Sequence, residues 1–294
     1  MSLFKPPRLR RVLNLAGTAF AVLGVGFIAV HLGRYGEQLE GFSLSAGGWL
    51  ATAGLIALYA AANVLLALAW WCLLAFLGVR VRGWWAVRVY GLSLVAKYVP
   101  GNIFHLAGRQ AMGMAAGLPA GALAKSAIWE LGLIACVGVL FCLLAMPILF
   151  PWMGIGYGFV GFISLDVLIW WVLRRKIGPL VARAFMFQLV FLCVFGIVSL
   201  CALMVVEPAG VGWENFLVLI GGFVVAWLAG LVTPGAPAGV GVRELVIVVL
   251  LSGQVAEFDL ILATILGRMV TVGGDLCFVG GISLWSMLAR RSLP

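Results

Sequence analysis

The side chains that could do chemistry gather at two Pro/Gly-rich interruptions of apolar sequence and along one late apolar run. The first interruption reads Lys97-Tyr98-Val99-Pro100-Gly101-Asn102. Pro100 suits a first helical position, where its missing N–H costs nothing. A helix starting there carries Asn102, His105 and Arg109 at i, i+3 and i+7, one polar stripe on an otherwise apolar surface. Unpaired N–H groups near Gly101 and Asn102 bring partial positive charge, and Lys97 precedes them, so the stretch suits an anion such as a lipid phosphate. The competing reading has Lys97 and Arg109 snorkelling to the interface, with His105 satisfied locally.

The second interruption runs from Thr233 through Pro234, Gly235, Ala236, Pro237, Ala238, Gly239, Val240 and Gly241, and Arg243 and Glu244 follow. Small residues of special backbone freedom let N–H groups point at a ligand and keep side chains out of its way. The same run also serves as a hinge, and the two roles are compatible. The late run carries Thr264, Arg268, Thr271 and Asp275 at i, i+4, i+7 and i+11, a stripe down one helix face. Arg268 and Asp275 stand two turns apart, too far for mutual contact, so each is expected to face another helix. Asn63, Asp166 and Glu130, the last sharing a face with Ser126, are further polar residues inside apolar runs.

A magnitude limits where these groups can face. A charge at the centre of a membrane helix costs ~2.5–3.5 kcal/mol on insertion scales. Arg109, Arg243 and Arg268 together would cost roughly 8–10 kcal/mol unpaired, as much as a whole protein's stability. They must face counter-ions, a wet cavity or an anionic ligand. Glu130, Asp166, Glu244 and Asp275 either neutralise them structurally or carry protons in a coupled transporter.

The rest of the chain shows why lipid enters the argument. Of 294 residues, 64% are hydrophobic and 10% charged, with a mean hydropathy of +1.18. An ordinary soluble domain is roughly 25% charged. A soluble fold could not hide so much apolar surface, which excludes a soluble enzyme, a disordered tail and a nucleic-acid-binding module. The net charge of +9 falls beside apolar runs, as in cytoplasmic loops, and speaks for topology and lipid head groups rather than nucleic acid. Cys72, Cys136, Cys142, Cys193, Cys201 and Cys277 lie inside apolar runs without a C-x-x-C pair and read as packing residues.

Apolar runs long enough to span lie at 12–33, 49–77, 126–150, 153–173, 184–206 and 259–288. The first follows a basic stretch and is read as an uncleaved helix rather than a signal peptide. Stretches 84–118 and 216–252 are apolar but broken near the middle. Basic residues at 8–11, 80–88, 174–183 and 290–291 assign those loops and both termini to the cytoplasm, while Glu37, Glu40, Glu207, Glu214, Glu257 and Asp259 lie opposite. Six full spans meet every placement if each broken stretch returns to the side it entered. The expected fold is therefore all-α and polytopic: about six transmembrane helices plus two oppositely inserted re-entrant hairpins, eight helical segments in a single domain. Eight ordinary spans with proline kinks also leave both termini inside. Paired, broken segments point to a transporter's binding site.

The two interruptions also carry a resemblance. Lys97-Tyr98-Val99-Pro100-Gly101-Asn102-Ile103-Phe104-His105-Leu106-Ala107-Gly108-Arg109 and the run from Pro234 to Glu244 resemble the membrane domain of the lysylphosphatidylglycerol synthase family, also called flippase-like. Ala236-Pro237-Ala238 is looser than the Pro-Gly-Gly-Leu-Gly pattern of that family. The resemblance covers nearly the whole chain and implies lipid translocation. In two-domain members a cytoplasmic aminoacyl transferase makes lysyl-phosphatidylglycerol and the membrane domain moves it between leaflets. Other members stand alone or are attached to glycosyltransferases, and some are linked to hopanoid or envelope glycolipid transport. The expectation here is a stand-alone membrane domain, since no room remains after Arg291 for the synthase.

These readings converge on a flippase of the bacterial cytoplasmic membrane that moves an anionic or phosphate-bearing envelope lipid, or a lipid-linked glycan. Lys97, Asn102, His105, Arg109, Arg243 and Arg268 would contact the head group. Pro100, Gly101, Pro234, Gly235, Gly239 and Gly241 would supply hinges and backbone donors. No H-E-x-x-H, P-loop, G-x-S-x-G or D-x-D motif is present, and His31 and His105 are the sole histidines, so no catalysis, metal or cofactor is expected. The rival readings are a non-transporting anchor or regulator of an envelope glycosyltransferase, and a membrane enzyme acting on a lipid-linked sugar. A homo-oligomer is compatible with the sequence.

Overall fold

A computed structural model describes residues 43–98, 104–207, 211–233 and 239–291, apart from the side chains of Trp213 and of 287–291. The described residues are mostly helical, and no strand occurs among them. The helices are α1 (Ala46–Phe76), α2 (Gly83–Leu94), α3 (Phe104–Ala115), α4 (Ala120–Leu140), α5 (Cys142–Leu149), α6 (Ile155–Val172), α7 (Pro179–Val206), α8 (Phe216–Val232), α9 (Val242–Leu251) and α10 (Glu257–Arg291). Short tighter turns follow α2 at Val95–Tyr98 and precede α8 at Trp213–Asn215, and a wider π-turn, Leu173–Ile177, closes α6.

Five helical segments among the described residues are long and apolar enough to cross a membrane: Ala46–Phe76, Ala120–Leu149, Ile155–Ile177, Pro179–Val206 and Glu257–Ser286. Each matches a run expected to span. The expected span at 12–33 lies outside the described residues. Two helices begin well before their apolar runs, at Ala120 rather than 126 and at Pro179 rather than 184. Both extend past the apolar stretch to a proline: Pro119 caps the first, and Pro179 opens the second. Similarly, the Ser45 hydroxyl accepts the Gly48 N–H at 3.1 Å and starts α1.

The centre is built from α1, α7 and α10, each packed along the other two. Close contact needs small residues, since helices inside lipid associate through packing rather than hydrophobic exclusion. A Cβ at Gly274 of α10 would lie 2.7 Å from the Tyr59 ring and 3.1 Å from the Ala60 nitrogen of α1. A Cβ at Gly221 of α8 would lie 2.8 Å from the Ala145 nitrogen of α5. Outward faces stay apolar: Tyr157, Val160 and Val167 of α6 are each more than half exposed, as lipid-facing residues would be.

Both broken stretches appear as pairs of short helices. α2 packs on α3, and α8 packs on α9. The residues of the breaks themselves, 99–103 and 234–238, lie outside the described residues. Helix α3 is described from Phe104, so the proposed start at Pro100 is not described.

Candidate functional site

Between these pairs and the central helices lies a cavity of about 120 Å³. That is ample for several ordered waters or a small polar group. Tyr59, Phe191 and Trp227 supply an aromatic wall, while Lys97, His105, Glu130, Arg243 and Arg268 supply the polar lining. Tyr59 packs on Phe191 and Phe195, and both phenylalanines pack on Trp227. This stack holds the wall in place from α1, α7 and α8.

The stripe on α10 connects to both broken stretches. Asp275 accepts a hydrogen bond from the Asn63 amide of α1 at 3.0 Å, another from the Tyr98 hydroxyl, and forms an ion pair with Lys97. Tyr98 and Lys97 belong to the turn just before the first break. Two helical turns away, Arg268 donates from Nε to Glu244 Oε1 at 2.7 Å, and its Nη2 lies at the same distance from that oxygen. Arg268 and Asp275 thus face partners on other elements, as their spacing requires. Thr264 and Thr271 differ: their hydroxyls donate to backbone carbonyls of their own helix, at Leu260 and Arg268, although Thr271 also lines the cavity.

Glu244 also holds the backbone after the second break. Its Oε2 accepts the Gly241 N–H at 2.7 Å, the carboxylate half of a capping box, at a helix end where negative charge is favoured. Two left-handed glycines shape this segment: Gly239 at φ +70° and Gly241 at φ +87°. Gly239 further packs against Gly230 of α8, where a Cβ would stand 2.8 Å from the Gly230 Cα. The chain can therefore turn tightly onto α8 and aim Arg243 inward.

Arg109 is placed differently from the other cations. Its Nη1 donates to Glu130 Oε1 at 3.1 Å, and Nη2 stands 2.8 Å from Oε2, close but off the hydrogen-bonding direction. The guanidinium also stacks near Trp70 and Tyr90, at 5.0 and 4.5 Å from their ring centroids. The Tyr90 hydroxyl donates to Glu130 Oε1, the Gln188 amide donates to the Glu130 carbonyl, and Trp70 donates to Ser126. Arg109 is buried within this network and is not among the residues lining the cavity, whereas Glu130 is.

Arg243 is the contrast. It is only 4% exposed and lines the cavity, and its guanidinium lies 4.9 Å from the Phe195 ring centroid. It forms no ion pair or hydrogen bond among the described residues, and its Nε is buried without a partner. Glu244, its sequence neighbour, directs both oxygens elsewhere. A buried guanidinium that borders a cavity, with its Nε unmet among the described residues, has the chemistry to bind an anion.

Of the residues expected from sequence, the structure brings Lys97, His105, Arg243 and Arg268 to one cavity, with Glu130, Glu244 and Asp275 as ion-pair partners around it. Asp166 lies apart on α6, buried at 5% exposure, with both carboxylate oxygens unpartnered among the described residues. Pro100, Gly101, Asn102, Pro234 and Gly235 lie outside the described residues. The sequence reading gave no role to Tyr98 and missed Tyr59, Tyr90, Gln188 and the aromatic wall, because single aromatic or amide residues in an apolar run carry no spacing signal. No group of three or more His, Cys, Asp or Glu gathers to hold a metal among the described residues. No family model matches the chain, and neither does any curated protein.

Proposed function

We propose that this multi-pass protein moves a lipid with an anionic or phosphate-bearing head group between membrane leaflets, as the resemblance to the flippase-like membrane domain implies. The observation that carries the reading is Arg243: buried, bordering the cavity, and without a counter-ion among the described residues. An arginine at membrane depth without a partner is costly, and an anion in the cavity would relieve that cost. Lys97 and Arg268 border the same space, and the aromatic wall would accept the glycerol or upper acyl region.

The two broken stretches are read as re-entrant hairpins. At 1.5 Å per residue, α2 and α3 are each about 18 Å long and α9 about 15 Å, short of a ~30 Å hydrocarbon core. That α2 packs on α3, and α8 on α9, supports a fold-back in each. With the basic 174–183 region in the cytoplasm, the hairpins enter from opposite faces and meet at the cavity, as in inverted-repeat transporters. The ion pairs from α10 then hold both hairpins in one arrangement, and their exchange would accompany movement of the lipid.

The test is reconstitution into vesicles with a fluorescent anionic lipid, reading accessibility of the label to an external quencher over time. Wild-type protein should accelerate exchange between leaflets. Arg243→Gln should abolish the acceleration while keeping insertion and helical content. Equal rates from wild type and variant would refute the assignment. No acceleration by either, with a co-purifying protein, would favour the anchoring reading instead.

A further inference from the structure

The charges around the cavity do not cancel, and the remainder is informative. Among the described residues the site holds four cations, Lys97, Arg109, Arg243 and Arg268, against three carboxylates, Glu130, Glu244 and Asp275. Each carboxylate is matched to one cation: Asp275 to Lys97, Glu130 to Arg109, and Glu244 to Arg268. His105 is counted neutral, because an imidazolium would add another uncompensated buried charge. The surplus is one positive charge, and it sits on Arg243.

We infer that the cavity is built for a group with a single negative charge, of which the phosphate diester is the lipid form, and selects against the doubly charged phosphate monoester. The inference rests on the anionic head-group reading above and narrows it. In a buried site of low dielectric, charges must balance nearly one for one, because each uncompensated charge costs several kcal/mol of desolvation. A monoanion beside Arg243 brings the site to neutrality. A dianion leaves one negative charge over, unless it strips Lys97 or Arg268 from its carboxylate. Stripping Arg268 would also disturb Glu244, which holds the Gly241 N–H, so the second charge has no inexpensive partner.

The balance can be shifted without touching Arg243. Asp275→Asn and Glu244→Gln each remove one negative charge and raise the surplus to two. Asparagine at Asp275 retains an oxygen to accept from Asn63, and glutamine at Glu244 retains one for the Gly241 N–H.

The experiment measures binding of short-chain lipids to purified protein in detergent at pH 8, where a phosphate monoester with a second pKa near ~6 is mostly a dianion. The probes are dioctanoyl phosphatidylglycerol as diester, dioctanoyl phosphatidate as monoester, dioctanoyl phosphatidylcholine as zwitterion, and dimethyl phosphate as a free monoanion. The expected result is that wild type binds phosphatidylglycerol at least about tenfold more tightly than phosphatidate. In Asp275→Asn or Glu244→Gln the preference shrinks or reverses, and either variant suffices if the other fails to fold. Tighter binding of phosphatidylglycerol than dimethyl phosphate identifies the lipid as the source of the charge; equal binding keeps the single-charge rule and points to a soluble anion. Phosphatidate bound as tightly as phosphatidylglycerol, with both lost in Arg243→Gln, overturns the charge rule and leaves the anionic head-group site standing. Binding of every lipid unchanged by Arg243→Gln overturns both.

Discussion

Replacing Glu130 with glutamine should be among the most damaging conservative substitutions in this protein. The residue is isosteric, so packing is kept and only charge is removed. Both partners are buried, Arg109 at 3% exposure and Glu130 at 6%. Without the carboxylate, Arg109 keeps only its contacts with the Trp70 and Tyr90 rings and one amide oxygen. Removing one partner of a buried ion pair costs ~3–5 kcal/mol. Insertion scales give ~2.5–3.5 kcal/mol for an uncompensated charge at membrane depth, so the two routes agree near 3 kcal/mol. That corresponds to roughly a hundredfold or more in the folding equilibrium. Replacing both residues by apolar ones of similar volume, Arg109→Met with Glu130→Leu, should recover most of the loss, because the desolvation cost of both charges disappears together. The assay is equilibrium unfolding in mixed micelles, titrating a denaturing detergent and following helicity and tryptophan fluorescence for Glu130→Gln and for the cycle of wild type, Arg109→Met, Glu130→Leu and their double variant. If Glu130→Gln loses less than ~0.5 kcal/mol, or if the double variant is as unstable as the sum of the singles, the pair is not what neutralises Arg109.

Two further expectations test other parts of the argument. Gly239→Ala should lower thermal stability more than Gly78→Ala: both glycines have positive φ, +70° and +80°, but a Cβ at Gly239 meets the Gly230 backbone and one at Gly78 meets nothing within 4 Å. The Gly78 variant should show the conformational cost alone, ~1–2 kcal/mol, and equal losses would dismiss the tight approach of the second break to α8. Asp166→Leu should stabilise the protein by ~1–3 kcal/mol in the same unfolding assay, since both oxygens of that buried carboxyl go unpartnered among the described residues; a marked loss would mean that Asp166 has a working partner.

The sequence alone was enough to establish the class of molecule and its expensive residues. Apolar runs long enough to span, interrupted by Pro/Gly clusters, have few solutions in lipid, because backbone polar groups must be satisfied within the chain. Five of the expected spanning runs return as helices, and the stripe of Arg268 and Asp275 returns on one face of α10, since the 3.6-residue period is a local property. Pairing is not local. Arg109 and Arg243 read alike in sequence, as lone arginines beside a break, yet one meets a carboxylate 21 positions along and the other meets none among the described residues. Likewise Asp275 finds Asn63 and Lys97 only because α10, α1 and the turn after α2 pack together. Which charge is neutralised depends on distances of a few ångströms between helices remote in the chain. The tertiary structure alone decides those distances, and with them which arginine is left without a counter-ion among the described residues.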